Sequence, residues 1–179
     1  PELKPLPFDP QKAMALLKEA GGFYDKKGRY LYKKGIPFEF TLFVFKESQI
    51  EKKVASYIQL CLNELGIRVK LQELAYEKLI KKYFGNTDFQ AVLTELDGAY
   101  RNPELIKMLW STDINSKATA GCFKHPKVNH LLKKAFDHND PEKLKKIFYE
   151  IDALITSLQP GSFLFQKTAI DVMSKRFRI

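Results

Sequence analysis

FEFTLFVFKESQIEKKVASYIQLCLNELGIRVKLQEL, residues 38 to 74, packs three elements into one run. Phe38, Phe40, Leu42 and Val44 alternate as in a strand, yet Phe43 and Phe45 between them are apolar too. A strand that is apolar on both sides belongs in the middle of a sheet covered by helices. Ser48 then stands where an N-cap is needed, because its hydroxyl can accept from the free N–H groups of a first turn. From there Ile50, Val54, Tyr57, Ile58, Cys61, Leu62 and Leu65 recur at helical spacing, and Gly66 supplies the stop. Ile67, Val69 and Leu71 next alternate with Arg68, Lys70 and Gln72, which predicts a second strand. Strand, helix and strand in this order form a crossover joining a parallel pair. The fold class is α/β.

Upstream, FDPQKAMALLKEAGG (8–22) reads as a helix. Asp9 caps it, Pro10 fits the first position, where no N–H is required, and Gly21-Gly22 ends it. Two KKG triplets then punctuate the chain with glycines suited to tight turns, and GRYLY between them reads as a hairpin arm. Downstream, YEKLIKKYFGN predicts a short helix and FQAVLTEL (89–96) a strand. DGAYRNP (97–103) is a loop by composition, and ELIKMLWST returns to helix. HPKVNHLLKKAF and DPEKLKKIFYEIDALITSL are two amphipathic helices, the second repeating the Asp-Pro start. GSFLFQ and AIDVMSK close the chain as short strand candidates. No repeat or low-complexity linker divides the sequence, so the expectation is one α/β unit with a mixed sheet.

The 179 residues carry a net charge of +9. The lysines occur as scattered pairs, from Lys26-Lys27 to Lys145-Lys146, on the outer sides of amphipathic segments or in turns. A nucleic-acid surface instead concentrates charge with arginine and exposed aromatics, so a solvated face is the better account. No apolar run reaches the roughly 20 residues of a membrane span. Cys61 and Cys122 are too far apart for a thiol redox motif or zinc site, and Cys61 reads as a small buried hydrophobe.

A search for chemistry yields little. The sequence has no glycine-rich phosphate loop, no nucleophile elbow and no His-x-x-x-His pair. His125, His130 and His138 are spaced for surface or capping roles rather than for a metal. No catalytic residue, metal or other cofactor is expected. Glu95 and Asp97 stand apart from the other carboxylates: they fall where a buried strand becomes a loop, the position at which open α/β sheets contact ligands. Tyr100 and Arg101 follow in the same loop, as an aromatic wall and a grip for an anion. Trp110, the sole tryptophan, is expected to pack in the core.

The succession FDPQKAMALLKEAGG, GRYLYKKGIPFEFTLFV, IQLCLNELGIRVKLQEL, DFQAVLTELDGAYRNPE, CFKHPKVNHLLKKAF and LQPGSFLF resembles the second lobe of the family 5 extracellular solute-binding proteins. These are the oligopeptide-, dipeptide- and nickel-binding components of ABC transporters. The resemblance covers almost the whole chain. It implies one lobe of a type II periplasmic-binding-protein-like fold, a mixed sheet covered by helices, with residues 1–179 forming a single domain. It also implies that a helix like 8–22 follows a first lobe several hundred residues long, so the chain looks like the ligand-closing lobe without its partner.

The function implied is capture of a peptide or related small solute between two lobes that close about a hinge, with no catalysis. The partners implied are that ligand, the N-terminal lobe and the ABC permease subunits. The place implied is the periplasm or cell exterior, with membrane association only through the transporter or a lipid anchor. Peptide-binding members carry an aspartate in the loop before the proline that pairs with the peptide's amino terminus. Aligning on Tyr100 and Pro103 puts Ala99 there, with Asp97 the nearest carboxylate, two residues earlier. Asn129 stands where the HPKVNHLL helix of the family commonly has aspartate. Two alternatives stand beside this reading: a basic α/β nucleic-acid-binding domain, and a family member serving as a sensor or chaperone rather than in transport.

Overall fold

The computed structural model describes residues 6–25, 28, 30–85, 89–95, 110, 123, 125–137, 140–165 and 176. Helix α1 (Pro10–Glu19) begins where expected: the Asp9 carboxylate accepts from the Lys12 N–H at 2.9 Å, and Pro10 occupies the first turn. Its end is a double cap, with Gly21 N–H donating to Lys18 O and Gly22 N–H to Leu17 O. Gly21 takes φ +86°, open to glycine without steric cost. Gly22 is required for a different reason. A Cβ there would lie 2.7 Å from Leu17 O and 2.9 Å from a Leu31 methyl.

Three short strands follow, β1 (Phe23–Tyr24), β2 (Leu31–Lys33) and β3 (Ile36–Pro37), paired antiparallel in that order. The second KKG triplet makes the β2–β3 turn, with Lys34 and Gly35 both at positive φ (52° and 80°). Two left-handed residues match the twist of a two-residue hairpin.

Strand β4 (Glu39–Phe45), helix α2 (Gln49–Glu64) and strand β5 (Arg68–Leu74) form the crossover. β4 and β5 run parallel from Glu39↔Arg68 to Phe45↔Leu74. Leu42, Phe43 and Val44 are all buried, as a strand covered on both faces requires. The Ser48 hydroxyl accepts from Glu51 N–H at 3.2 Å, and the Glu51 carboxylate reaches back to Phe45 N–H at 3.3 Å. One side-chain pair thus closes both the helix start and the strand end. At the far end of α2, Gly66 (φ +78°) donates to Asn63 O and Ile67 to Leu62 O.

The burial of α2 departs from the expected stripe. Its core line is Ala55, Ile58, Leu62 and Leu65, packed on Leu42, Val44, Ile67 and Val69. Ile50 and Tyr57 are 51% and 64% exposed, and the free Cys61 thiol is half-buried rather than enclosed. Ala55 is fully buried. Its small side chain lets the helix approach the sheet along that line, so the contact face is rotated away from the centre of the apolar stripe.

Helix α3 (Tyr76–Ile80) continues into a π-helical turn (Lys81–Gly85) and leads to β6 (Ala91–Val92), parallel to β4 on its other side. The sheet order is β5-β4-β6. β6 is much shorter than the expected 89–96. Before it, the Gln90 side chain takes the place of a backbone acceptor for Thr41 N–H at 2.8 Å; after it, a single bond runs from Leu93 N–H to Phe43 O. Among the described residues, antiparallel and parallel pairing are therefore both present, in two separate sheets.

Helices α4 (Pro126–Phe136) and α5 (Pro141–Leu158) form a second core from Val128, Leu131, Leu132, Ala135, Ile147, Ile151 and Ile155. Asp140 caps α5 by accepting from Glu142 and Lys143 N–H. Trp110 packs against this core, edge-on to Phe123 at 5.9 Å, as expected of the sole tryptophan. GSFLFQ does not form a strand over its described residues 161–165; Phe163, Leu164 and Phe165 are exposed there. AIDVMSK lies outside the described residues. No helix among those described is long and apolar enough to cross a membrane.

Candidate ligand-binding edge

All three strands of the β5-β4-β6 sheet are parallel, so their carboxyl ends share one edge. This is the edge at which an open α/β sheet receives ligands, in the crevice outside the carboxyl ends of its strands. β5 delivers Tyr76 there, 60% exposed and edge-on to Phe45 at 5.7 Å, the last residue of β4. β6 delivers Leu93, Thr94 and then Glu95, which is exposed. The structure therefore brings Glu95 to the expected edge. Asp97, Tyr100 and Arg101 lie outside the described residues, as does Cys122.

Sequence reasoning missed Tyr76. The signal was an aromatic directly after a strand, in ELAYEK, and it was absorbed into the reading of the following helix. Behind this edge Tyr83 contacts Phe89 at 6.0 Å, and burial pushes its phenol above the ordinary tyrosine range, so it stays neutral at physiological pH.

His125 occupies the N-cap position of α4, with its carbonyl accepting from Asn129 N–H and its ring stacked on Phe123. Among the described residues no group of three or more His, Cys, Asp or Glu side chains could hold a metal ion.

These elements make an α/β unit: a helix-covered parallel sheet with an exposed carboxylate and an exposed aromatic at its carboxyl edge. The profile of the bacterial extracellular solute-binding proteins, family 5 Middle, matches residues 1–117, well over half of the sequence. The chain belongs to that family, whose members are binding proteins and not enzymes.

The oligopeptide-binding protein AppA of Bacillus subtilis is 26% identical over 159 residues, which is 88% of this chain and 29% of AppA. The structure of AppA in complex with a nonapeptide matches with a TM-score of 0.78 at 23% identity, covering 89% of this chain and 32% of that one. NikZ from Campylobacter jejuni in complex with Ni(L-His) matches at 0.70 and 21% identity, covering 86% and 31%. MelB from Agrobacterium fabrum in complex with stachyose matches at 0.74 and 15%, covering 86% and 25%. At these identities the structural likeness establishes the fold. The chain spans about a third of the length of the relatives it matches.

Proposed function

We propose that this chain supplies one lobe of an extracytoplasmic ABC-transporter solute-binding protein, with peptide as the ligand class. Membership of the family supports the transport role. The observation that supports the site is the parallel β5-β4-β6 sheet, which brings Glu95 to its carboxyl edge; Asp97, Tyr100 and Arg101 follow it in the sequence. In this reading residues 1–179 are a single domain, the second, ligand-closing lobe. A first lobe and the permease subunits are its partners, and the membrane is reached through the transporter or a lipid anchor.

In this reading Asp97 neutralises the peptide ammonium in place of the aspartate that Ala99 displaces, Arg101 is the grip for an anionic group, and Tyr100 is an aromatic contact for the ligand. The relatives that held Ni(L-His) and stachyose show that the same fold serves other solutes. The two loop charges favour a zwitterionic ligand over a neutral sugar. Half a site loses the contacts of the other half, each worth about 1 kcal/mol or more, so the lobe alone binds weakly.

The test is a thermal-shift comparison of the full-length protein, unmodified and with Asp97→Ala, across peptides, nickel–histidine and oligosaccharides. Peptides are expected to raise the melting temperature of the unmodified protein, and the variant is expected to lose that gain. Stabilisation by a sugar or a metal complex alone, indifferent to Asp97→Ala, would overturn the peptide assignment.

A further inference from the structure

At the opposite end of the same sheet, Arg68 opens β5 in an unusual setting. Its guanidinium lies over the Tyr30 ring, 3.8 Å from the centroid. Its Nε–H is buried and has no hydrogen-bond partner among the described residues. The parallel register sets Glu39 opposite Arg68, yet the Glu39 carboxylate is taken by Lys70 at 3.2 Å. Arg68 therefore faces a cavity of about 450 Å³, lined with Tyr30, Asn63, Gly66 and Ile67, without a counter-charge among the described residues.

The walls are fixed by backbone bonds. Leu31 N–H, beside Tyr30, donates to Gly66 O, and Arg68 N–H donates to Phe38 O, both at 2.9 Å. Tyr24 O–H donates to Leu65 O at 3.1 Å, tying the antiparallel strands to the same turn. The guanidinium is thus held in plane by an aromatic face on a rigid frame. Stacking on an aromatic fixes the plane of an arginine fork and leaves its edge for a planar anion.

We propose that this cavity is a receptor for a carboxylate group, separate from the carboxyl edge of the sheet and independent of the transport reading. Carboxylate fits better than phosphate because Arg68 is the one cation among the described residues that line the cavity, and a single guanidinium balances a single negative charge with two parallel N–H···O bonds. The Asn63 side chain, at the rim, offers an amide to whatever bears the carboxylate.

The test follows the backbone amide signals of Asn63, Gly66 and Ile67, which line the cavity, by NMR in the 179-residue chain as N-acetylglycine or the N-acetyl amide of glutamate is added, with sodium chloride as the control. These signals are expected to move and saturate with the carboxylates, and not with chloride. Tighter binding of N-acetylglycine assigns the site to chain termini, and tighter binding of the glutamate amide assigns it to acidic side chains. Arg68→Met is expected to abolish the response. Arg68→Lys, which keeps the charge and the frame, is expected to weaken it about tenfold, the cost of one charge-assisted hydrogen bond. A shift that never saturates, that chloride reproduces, or that survives either substitution at full strength overturns the proposal.

Discussion

In the α4–α5 pair the residues that recur at helical spacing are the ones that are buried: Val128, Leu131, Leu132 and Ala135 face Ile147, Ile151 and Ile155. In the β4–α2–β5 unit the recurrence is just as regular, yet Ile50 and Tyr57 of α2 are more than half exposed. The contrast comes from what each helix packs against. Two helices joined by a short turn meet along the apolar stripe that each already carries, because nothing else orients them. A helix on a parallel sheet is oriented by the strands at both of its ends, and the closest approach is set by its smallest side chain, Ala55. An apolar stripe therefore predicts a helix reliably, and its buried face only when the partner is local.

The largest expected effects probe whether the two cores act as one. Ile151→Ala in the helical pair and Leu42→Ala in the sheet should each cost about 2–5 kcal/mol, the range for large-to-small changes at buried sites. Trp110 fluorescence reports on the helical pair, and far-UV circular dichroism reports on the whole chain. If residues 1–179 are a single domain, both variants shift both denaturation curves equally; a variant that moves one curve alone breaks that equivalence.

The helix ends sharpen the comparison at a smaller scale. α2 ends on a left-handed glycine, Gly66, whereas α5 ends on Gln159 at φ +48°. Gly66→Ala should destabilise by about 1–2 kcal/mol, since a side chain raises the cost of the left-handed conformation. Gln159→Gly relieves that cost and should stabilise by up to about 1 kcal/mol, the opposite sign from an analogous position. Urea denaturation midpoints of the two variants check both. The smallest effect belongs to the outer side of α2: Tyr57→Ser should change stability by no more than about 0.5 kcal/mol, in contrast to a change at Ala55. A larger loss in the same assay would mean that the exposed stripe packs against something.

The candidate site divides along similar lines. Glu95 was legible because a buried apolar strand, ending in a carboxylate before a Gly-, Asn- and Pro-containing loop, is a local pattern. Tyr76 was not, because its exposure depends on how β5 meets α3. The length of β6 was hidden for a related reason: eight residues have strand composition, but the Gln90 side chain takes the place of a backbone acceptor for Thr41 N–H, so the ladder starts only at Ala91. The expected strand at GSFLFQ failed likewise, since alternation alone supplies no pairing edge.

By itself the sequence determined where most of the helices start and where the chain turns. Asp9-Pro10, Ser48 and Asp140-Pro141 set helix starts, and Gly21, Lys34-Gly35 and Gly66 set turns, because caps and left-handed positions are satisfied by atoms only a few residues away. It also determined the parallel crossover, because only a β4 apolar on both faces accepts helices on both sides. Tertiary structure decided which side of α2 is buried, which carboxylate takes Lys70 instead of Arg68, and that Tyr30 and Arg68, far apart in sequence, share one cavity. Those outcomes depend on the register of β4 against β5 and on the seating of the antiparallel strands on the Gly66 turn, and no local pattern carries that information.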